Sequence, residues 1–209
     1  LRVADTAYEL HDGPFTVECW VNPAPLGRRV GLVCKTEMSE YGLMVVEGRL
    51  VFNVFLDDAY VAPVSEPDVL EVGRWQHVAG VFDGEEARLY VDGKLIASLP
   101  ASGVRRTNAL PLVIGGDVNN RGDAGSFFAG QIDSVRISET ARYAGDTFAP
   151  QRQLEHDEYT VLLHSMGARF LNYYLDASDS EAHASAVGDP ALVEVIADDA
   201  APELAPAGE

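Results

Sequence analysis

The chain has 209 residues, 47% of them hydrophobic and 23% charged, a composition typical of a soluble globular protein with one sizeable core. Its 33 acidic residues against 15 Lys and Arg give a net charge of −18, a field that repels phosphate backbones and anionic membranes. Composition therefore argues against nucleic acid as a partner, and no apolar run approaches the roughly 20 residues of a membrane-spanning helix.

Short strand-like segments alternate with turn residues along most of the chain. In chain order they are FTVECWVN (15–22), VGLVCK (30–35), YGLMVVE (41–47), GRLVFNVFL (48–56), three strands within RWQHVAGVFDGEEARLYVDGKLIAS (74–98), PLVIGG (111–116), QIDSVRIS (131–138) and YTVLLHS (159–165). Even spacing of this kind, with helical periodicity weak throughout, predicts an all-β fold, an antiparallel β-sandwich of the jelly-roll type.

Two dipeptides predict tight hairpins within this series. Asp92-Gly93 indicates a type I′ turn because both central residues of that turn need a positive φ, and Glu47-Gly48 indicates another. Both faces of the 75–82 strand are largely apolar, so we expect it to be covered on both sides. Gly80, in the middle of that strand, predicts a close neighbour or a bulge.

The two cysteines, Cys19 and Cys34, lie within predicted strands and not in a CxxC motif. If their strands form a hairpin, the thiols could lie opposite each other and form a disulfide in an oxidising compartment. The alternative is a pair of small buried thiols. Spacing does not decide between the two.

The character of the chain changes after Gly188. The segment ADDAAPELAPAGE is rich in Ala, Pro and acids and has no aromatic residue, Lys or Arg. We therefore predict one domain over 1–188 and an acidic tail or linker over 189–209. Because the chain begins at Leu1 and not at Met, we expect it to be a mature or excised part of a longer protein.

Three blocks, FTVECWVNP, RWQHVAGVFDG…ARLYVDGKLIAS and LVIGGD…FFAGQIDSVRISETARY, resemble the concanavalin A-like lectin/glucanase superfamily. The resemblance covers about 1–142 and is strongest to its laminin-G-like (pentraxin-like) jelly rolls. It implies this fold and a bacterial secreted or cell-surface location, but it does not specify the function, because the fold hosts lectins, hydrolases, receptors and spacers. Glucanase members carry a paired-carboxylate E-x-D-x-x-E strand for glycoside cleavage. That motif is absent here, so we expect no enzymatic activity.

The resemblance to pentraxin-like domains also implies a calcium site built from two loops. Carboxylate and amide oxygens of the type that Ca²⁺ prefers stand at Asp117, Asn119, Asn120 and Asp123 on the loop after PLVIGG, and at Glu37 and Glu40 on an earlier loop. The alternative is that these residues only form turns, since exposed loops between strands commonly use Asp, Asn and Gly.

A sugar-binding surface needs exposed aromatic rings beside polar groups. The candidates are Tyr41, Tyr60 and Tyr173, whereas Trp20 and Trp75 fit core positions better. In LNYYLD, strand alternation places Tyr173 and its neighbour on opposite faces, so at least one of them is expected to be packed.

The function predicted from these features is a non-catalytic binding or adhesion module within a larger chain. It recognises glycan or protein through loops at one end of the sandwich, with calcium as a candidate cofactor. The alternative is a structural domain that packs against neighbouring subunits or domains.

Three further features have simple structural interpretations. His77 lies on an apolar row and is predicted to be a core histidine, and Asp133 is predicted to accept backbone hydrogen bonds at a strand start. The arginine pairs 28–29 and 105–106 are predicted to lie in solvated loops, with contact to an acidic partner as the alternative.

Overall fold

The computed structural model describes residues 1–167, 169–170, 173–188 and 190–192, so most of the predicted tail, 189–209, lies outside the described residues. Eighteen strands occur within them. They are β1 (Arg2–Val3), β2 (Phe15–Pro23), β3 (Arg29–Cys34), β4 (Tyr41–Val46), β5 (Arg49–Leu56), β6 (Ala59–Val61), β7 (Val64–Pro67), β8 (Gln76–Phe82), β9 (Glu86–Val91), β10 (Lys94–Pro100), β11 (Leu112–Ile114), β12 (Asp117–Val118), β13 (Ala124–Gly125), β14 (Gly130–Ser138), β15 (Thr160–His164), β16 (Arg169–Phe170), β17 (Tyr173–Tyr174) and β18 (Ala184–Ser185).

Two antiparallel sheets form the sandwich. One has ten strands in the order β16-β17-β18-β1-β11-β3-β4-β5-β6, with β7 also paired to β5, and the other has six in the order β10-β9-β8-β2-β14-β15. The predicted fold class, an antiparallel β-sandwich jelly roll, is confirmed. No helix within the described residues is long and apolar enough to cross a membrane.

The main core lies between the two sheets and follows the alternation of the strands. On β2 the core-facing residues are Phe15, Val17, Cys19 and Val21. Gly80 of β8 lies directly beneath a ring of the facing sheet, because a Cβ built on it would be 2.2 Å from a ring carbon of Phe52. The close neighbour predicted for Gly80 is therefore Phe52.

A third layer covers the outer face of the six-stranded sheet. It is formed by residues 139–157, which we call the strap. The N–H of Phe148 in the strap donates to the carbonyl oxygen of Gly93 at 2.8 Å, and the indole N–H of Trp20 donates to that of Gln151 at 2.9 Å. Tyr143 and Phe148 pack on the small apolar cluster around Tyr90. The prediction that strand 75–82 is covered on both sides is confirmed, and the strap is the second cover.

Both predicted hairpins are present. Asp92 and Gly93 have φ values of 48° and 72° between paired β9 and β10, and Glu47 and Gly48 have values of 49° and 78° between β4 and β5.

The two cysteines lie on different sheets, so their strands do not form the hairpin that a disulfide between them would require. β2 pairs with β8 and β14, whereas β3 pairs with β4 and β11. Cys19 belongs to the main core, and Cys34 packs with Met44 and Val51 in a separate cluster. Both thiols are free and buried, as the alternative interpretation predicted.

The chain beyond β15 is fixed to the six-stranded sheet by Asp176. Its carboxylate accepts hydrogen bonds from the N–H groups of Leu163 at 2.6 Å and Ala182 at 2.8 Å, and from the hydroxyl of Ser178 at 2.5 Å. This buried anchor places the segment 174–188 beside the end of β15.

Candidate functional site

A cavity of about 700 Å³ opens where β11 ends and β14 begins. Its apolar walls are Ile114, Ile132, Met166 and the rings of Trp75, Phe127, Phe128 and Tyr174, and its polar side chains are Gln131, Asp133 and Ser165. These residues come from four separate parts of the chain. Aromatic walls with a few convergent polar groups are the usual composition of a small-ligand site.

Behind one wall of the cavity, the guanidinium group of an arginine lies over two indole rings. The guanidinium of Arg152 lies 5.3 Å from the ring of Trp75 and 5.1 Å from that of Trp20, within range of a cation–π interaction. Arg152 also donates a hydrogen bond of 2.8 Å to a carboxylate oxygen of Asp133. The indole N–H of Trp75 is buried and has no hydrogen-bond partner within the described residues.

The backbone of β14 is irregular next to Asp133. The register between β14 and β2 shifts between Asp133 and Arg136, and Ser134 has a φ of 48°. Bulges of this kind redirect side chains. Asp133 was predicted to accept backbone hydrogen bonds, but here its carboxylate accepts from Arg152 and from the hydroxyl of Ser134.

The loop between β11 and β14 brings two aromatic rings to the cavity. The N–H of Phe128 donates to the carbonyl oxygen of Gly115 at 3.0 Å, and Phe127 next to it is 51% exposed. Gly130 ends this loop with a φ of 140°, and a Cβ there would lie 2.4 Å from the carbonyl oxygen of Asn22. Only glycine fits that position without displacing backbone.

The predicted ligand-binding tyrosines do not line this cavity. Tyr41 is fully buried and its hydroxyl shares a 2.7 Å hydrogen bond with that of Tyr8, so its prediction as an exposed aromatic is wrong. Tyr60 is partly exposed and its hydroxyl accepts the N–H of Met38 at 2.8 Å. Tyr173 is half exposed, whereas Tyr174 is buried and forms part of the cavity wall.

The predicted calcium ligand Asp117 is already paired with a cation. One carboxylate oxygen accepts two hydrogen bonds from Arg29, at 2.6 and 3.0 Å, and the other accepts from the hydroxyl of Thr36 and the N–H of Val118, at 2.8 and 2.9 Å. Both oxygens are therefore engaged by donors within the chain.

The rest of that loop is a self-bonded turn. The side-chain oxygen of Asn119 accepts the N–H groups of Arg121 at 2.8 Å and Asp123 at 3.0 Å, an arrangement typical of Asx-turns. The carboxylate of Asp123 accepts from the amide group of Asn119, and Asn120 is exposed.

The two predicted calcium ligands of the earlier loop, Glu37 and Glu40, differ in burial. Glu40 is buried and pairs with Arg105 and Lys35, while Glu37 is exposed with a φ of 94°. Among the described residues, no group of three or more His, Cys, Asp and Glu side chains is placed to hold a metal. As arranged, the six predicted ligands do not fit a calcium ion, and the calcium site stays a prediction.

A buried carboxylate that sequence reasoning missed lies beneath the strap. Glu18 accepts hydrogen bonds from His77 at 2.9 Å, Tyr143 at 2.8 Å and Arg136 at 2.8 Å. Burial alone would raise its pKa, but these donors and the Arg136 charge hold the pKa below its ordinary value. The prediction that His77 is buried in the interior is confirmed, and Glu18 is its partner.

Each arginine of the two predicted basic loops has an acidic partner within the chain. The pairs are Arg28–Glu47, Arg29–Asp117, Arg105–Glu40 and Arg106–Asp58. Arg105 is buried, so its prediction as part of a solvated loop is wrong. These arginines therefore pair with acidic residues of the same chain.

The family model described as concanavalin A-like lectin/glucanases superfamily, of the laminin G type, matches residues 2–147. No curated protein matches the chain.

Three solved structures illustrate the similarity of fold. A Bacteroides ovatus protein described as a candidate carbohydrate-binding protein shares 18% identity with a TM-score of 0.63, covering 82% of this chain and 50% of that one. The CBM40 of the Ruminococcus gnavus IT-sialidase, bound to α2,3-sialyllactose, shares 16% with a TM-score of 0.53, covering 63% and 78%. Domains LG4-5 of the mouse laminin α1 chain share 16% with a TM-score of 0.53, covering 72% and 44%. The chain thus spans about half the length of the first and third of these structures.

Proposed function

Because the chain belongs to the concanavalin A-like lectin/glucanases superfamily, we propose that it is a binding module that recognises carbohydrate in the cavity at the end of β11. One observation carries the proposal: aromatic rings, a primary amide and a carboxylate meet in a single cavity. The similarity in fold to carbohydrate-binding and laminin G-like modules supports a binding role in general.

The chemistry of the cavity suits a sugar. The C–H face of a pyranose can pack on the exposed ring of Phe127, since aromatic side chains bury a large apolar area. Its hydroxyl groups can donate to the carboxylate of Asp133 and exchange hydrogen bonds with the amide of Gln131. The cavity thus offers both an apolar surface and directional polar partners, which together would fix the orientation of a sugar ring.

Phe127→Ala tests the position of this site with little risk to the fold, because the side chain is half exposed. We expect at least tenfold weaker binding in calorimetric titration of the glycan that binds best on an array, equivalent to about 1.4 kcal/mol. Tyr173→Ala is the matched control, because this predicted ligand-binding aromatic is equally exposed but does not line the cavity. If Tyr173→Ala weakens binding and Phe127→Ala does not, the cavity is not the site.

We propose that the module lies in a secreted or cell-surface protein and binds without cleaving, as its resemblance to non-catalytic laminin-G-like domains implies. Incubation with each bound glycan followed by an assay for new reducing ends tests this. Release of reducing ends would contradict the non-catalytic role.

A second candidate function, contact with another protein subunit, is supported by a different surface. At the other end of the sandwich, the loops before β4 and β11 and the short strand β6 carry exposed apolar side chains: Met38, Val104 and Tyr60. A hydrogen bond joins Tyr60 to Met38, and Asp57 exchanges two hydrogen bonds with Val104. Clustered exposed apolar side chains are typical of interaction surfaces. Light scattering of the protein and of a Met38→Ser/Val104→Ser variant tests it, with concentration-dependent assembly of the unaltered protein as the supporting result.

A further inference from the structure

We infer that Lys35 and Asn108 form a covalent cross-link, an isopeptide bond between the lysine amine and the side-chain amide. Lys35 directly follows β3, and Asn108 lies between β10 and β11. The amine nitrogen Nζ lies 3.0 Å from the amide oxygen Oδ1. Because a C=O bond is about 1.2 Å long, Nζ is at most about 4.2 Å from Cγ, the carbon that it attacks. Holding two reacting groups together in this way replaces an encounter between separate molecules.

The amine has a proton acceptor beside it. Lys35 and Glu40 are both almost fully buried, and Oε1 of Glu40 lies 3.3 Å from Nζ. The same oxygen accepts the backbone N–H of Asn108 at 3.4 Å, so the carboxylate lies next to both reacting residues. Arg105 donates to the other oxygen and fixes the orientation of the carboxylate. Glu40 is therefore placed to act as a general base for the lysine.

The amide of Asn108 is oriented for attack on its carbon. Besides Lys35, the backbone N–H of Leu110 donates to Oδ1 at 2.8 Å. A donor at this position stabilises the negative charge that develops on a carbonyl oxygen under attack. The amide nitrogen Nδ2 donates to the hydroxyl of Ser39 at 2.7 Å and to the carbonyl oxygen of Thr36 at 3.0 Å. These bonds hold the plane of the amide in place.

The reaction needs no co-reactant. Glu40 takes one proton from the ammonium group of Lys35, and Nζ then attacks Cγ of Asn108. Glu40 passes this proton to Nδ2, the bond between Cγ and Nδ2 breaks, and the extra proton on Nζ leaves with the ammonia. An ammonium group and a primary amide thus become a secondary amide and one ammonium ion, without oxidation or reduction. The three residues line a cavity of about 500 Å³, into which the product is released.

The cross-link joins two neighbouring parts of the ten-stranded sheet. It connects the end of β3 to the segment before β11, and these two strands pair with each other. Joining residues that are 73 positions apart restricts the unfolded chain, as a disulfide does. Both cysteines are free, so no disulfide provides this restriction.

The intact mass of the purified, folded chain tests the inference. We expect it to be lower than the mass of the sequence by one molecule of ammonia. Tandem mass spectrometry of a tryptic digest should then give a branched peptide that joins Lys35 to Asn108. The full mass of the sequence would overturn the inference. Loss of water with a link from Lys35 to Asp5, whose carboxylate lies 2.8 Å from Nζ, would also overturn it.

Two lysine variants provide the matched controls. Lys35→Arg keeps a positive charge beside Glu40 but cannot form the bond, so we expect the full mass of its sequence and a lower melting temperature. Lys94→Arg, at an exposed position, should lose ammonia as the unaltered protein does. Asn108 could also release ammonia by cyclising on its own backbone, a reaction that needs no lysine. Loss of ammonia from Lys35→Arg would therefore contradict the cross-link.

A variant of the general base tests the role of Glu40. Glu40→Gln keeps a side chain of the same shape but cannot accept the proton, so the cross-link should form at least about tenfold more slowly after refolding. The measurement is a time course of intact mass. An unchanged rate in a folded Glu40→Gln variant would contradict the role given to this carboxylate. If that variant does not fold, the masses of the unaltered protein and of Lys35→Arg still decide whether the bond forms.

Discussion

At the scale of single residues, the fold depends on buried charges whose partners are far apart in sequence. Glu18 on β2 is fully buried and accepts from His77, Arg136 and Tyr143, which lie on two other strands and the strap. None of these pairings can be predicted from the sequence. The apolar residues of β2 alternate on the face opposite to Glu18, so they give no signal for the partners of its carboxylate.

Glu18→Ala should be strongly destabilising. It leaves the buried Arg136 without its carboxylate, and breaking a buried pair in this way costs about 3–5 kcal/mol. Urea unfolding measures the change. Asp179→Ala is the control, since its carboxylate is almost fully exposed and should change the free energy of unfolding by no more than about 0.5 kcal/mol. Equal effects of the two variants would mean that the buried cluster adds nothing to stability.

Asp117 leads to a prediction about calcium. Both of its oxygens are engaged by Arg29, Thr36 and backbone, so we expect addition of calcium or of EDTA to leave the melting temperature unchanged. A site filled at a hundredfold excess over its Kd would add about 2.7 kcal/mol of stability, which a thermal melt would detect. A rise in melting temperature with calcium would instead support the site predicted from the sequence.

At the scale of the elements, the two sheets approach each other closely where Gly80 faces Phe52. Gly80→Ala would place a methyl group against the ring of Phe52, and overpacking of a core costs about 1–3 kcal/mol. Gly125→Ala, where a Cβ meets nothing within 4 Å, should be close to neutral in the same unfolding experiment. Adding Phe52→Leu to Gly80→Ala should recover part of the loss, because the two sites are in contact. A double variant no more stable than the sum of its parts would argue against this contact.

The strands and turns that could be predicted from the sequence are those indicated by residues close together in the chain. The turn at Asp92-Gly93 predicted the junction between β9 and β10, and β2, β5, β8 and β14 agree with prediction to within one or two residues. The strap has no such signal, because its backbone is held by tertiary contacts such as Phe148 to Gly93.

The candidate site was harder to predict than the fold for a related reason. Trp75 was correctly expected to be buried, but its place in a cavity wall depends on Phe127 and on the segment after β15, which the chain brings there from 50 or more residues away. The calcium ligands were predicted from the resemblance to pentraxin-like domains, together with residue type and loop position. Residue type alone could not show that Arg29 and Arg105 reach Asp117 and Glu40 first.

At the scale of the whole molecule, the four acids that are buried among the described residues all have partners. Asp176 accepts hydrogen bonds from backbone N–H groups and Ser178, and the other three are neutralised by arginine. Glu18, Glu40 and Asp117 each pair with an arginine. Most of the remaining negative charge therefore lies near solvent, where it favours solubility and repels anions over the whole surface. Glu18, Asp83 and Asp157 have a lower pKa in the folded chain than in the unfolded chain, which links stability to pH.

Acid should destabilise the protein in two stages. Burial lowers the pKa of His164, whose Nε2–H donates to the carbonyl oxygen of Ala182 at 3.2 Å, so the stability that depends on its neutral form declines as pH falls below about 6.5. The hydrogen bonds from Arg142 hold the pKa of Asp157 well below its usual range, and the donors described above lower that of Glu18. The stability from these carboxylates is present above about pH 4 and is lost below it.

The two stages can be separated with one substitution. His164→Gln keeps a donor for Ala182 but cannot titrate, so its melting temperature should fall less than that of the unaltered protein between pH 7 and pH 5 and in parallel with it below about pH 4. His11 should not mask the effect. Its pKa is raised by hydrogen bonding to Glu139, which gives the opposite slope, and its side chain is largely exposed, where such pairs contribute little. Identical profiles for the two proteins between pH 7 and pH 5 would show that His164 does not control the first stage.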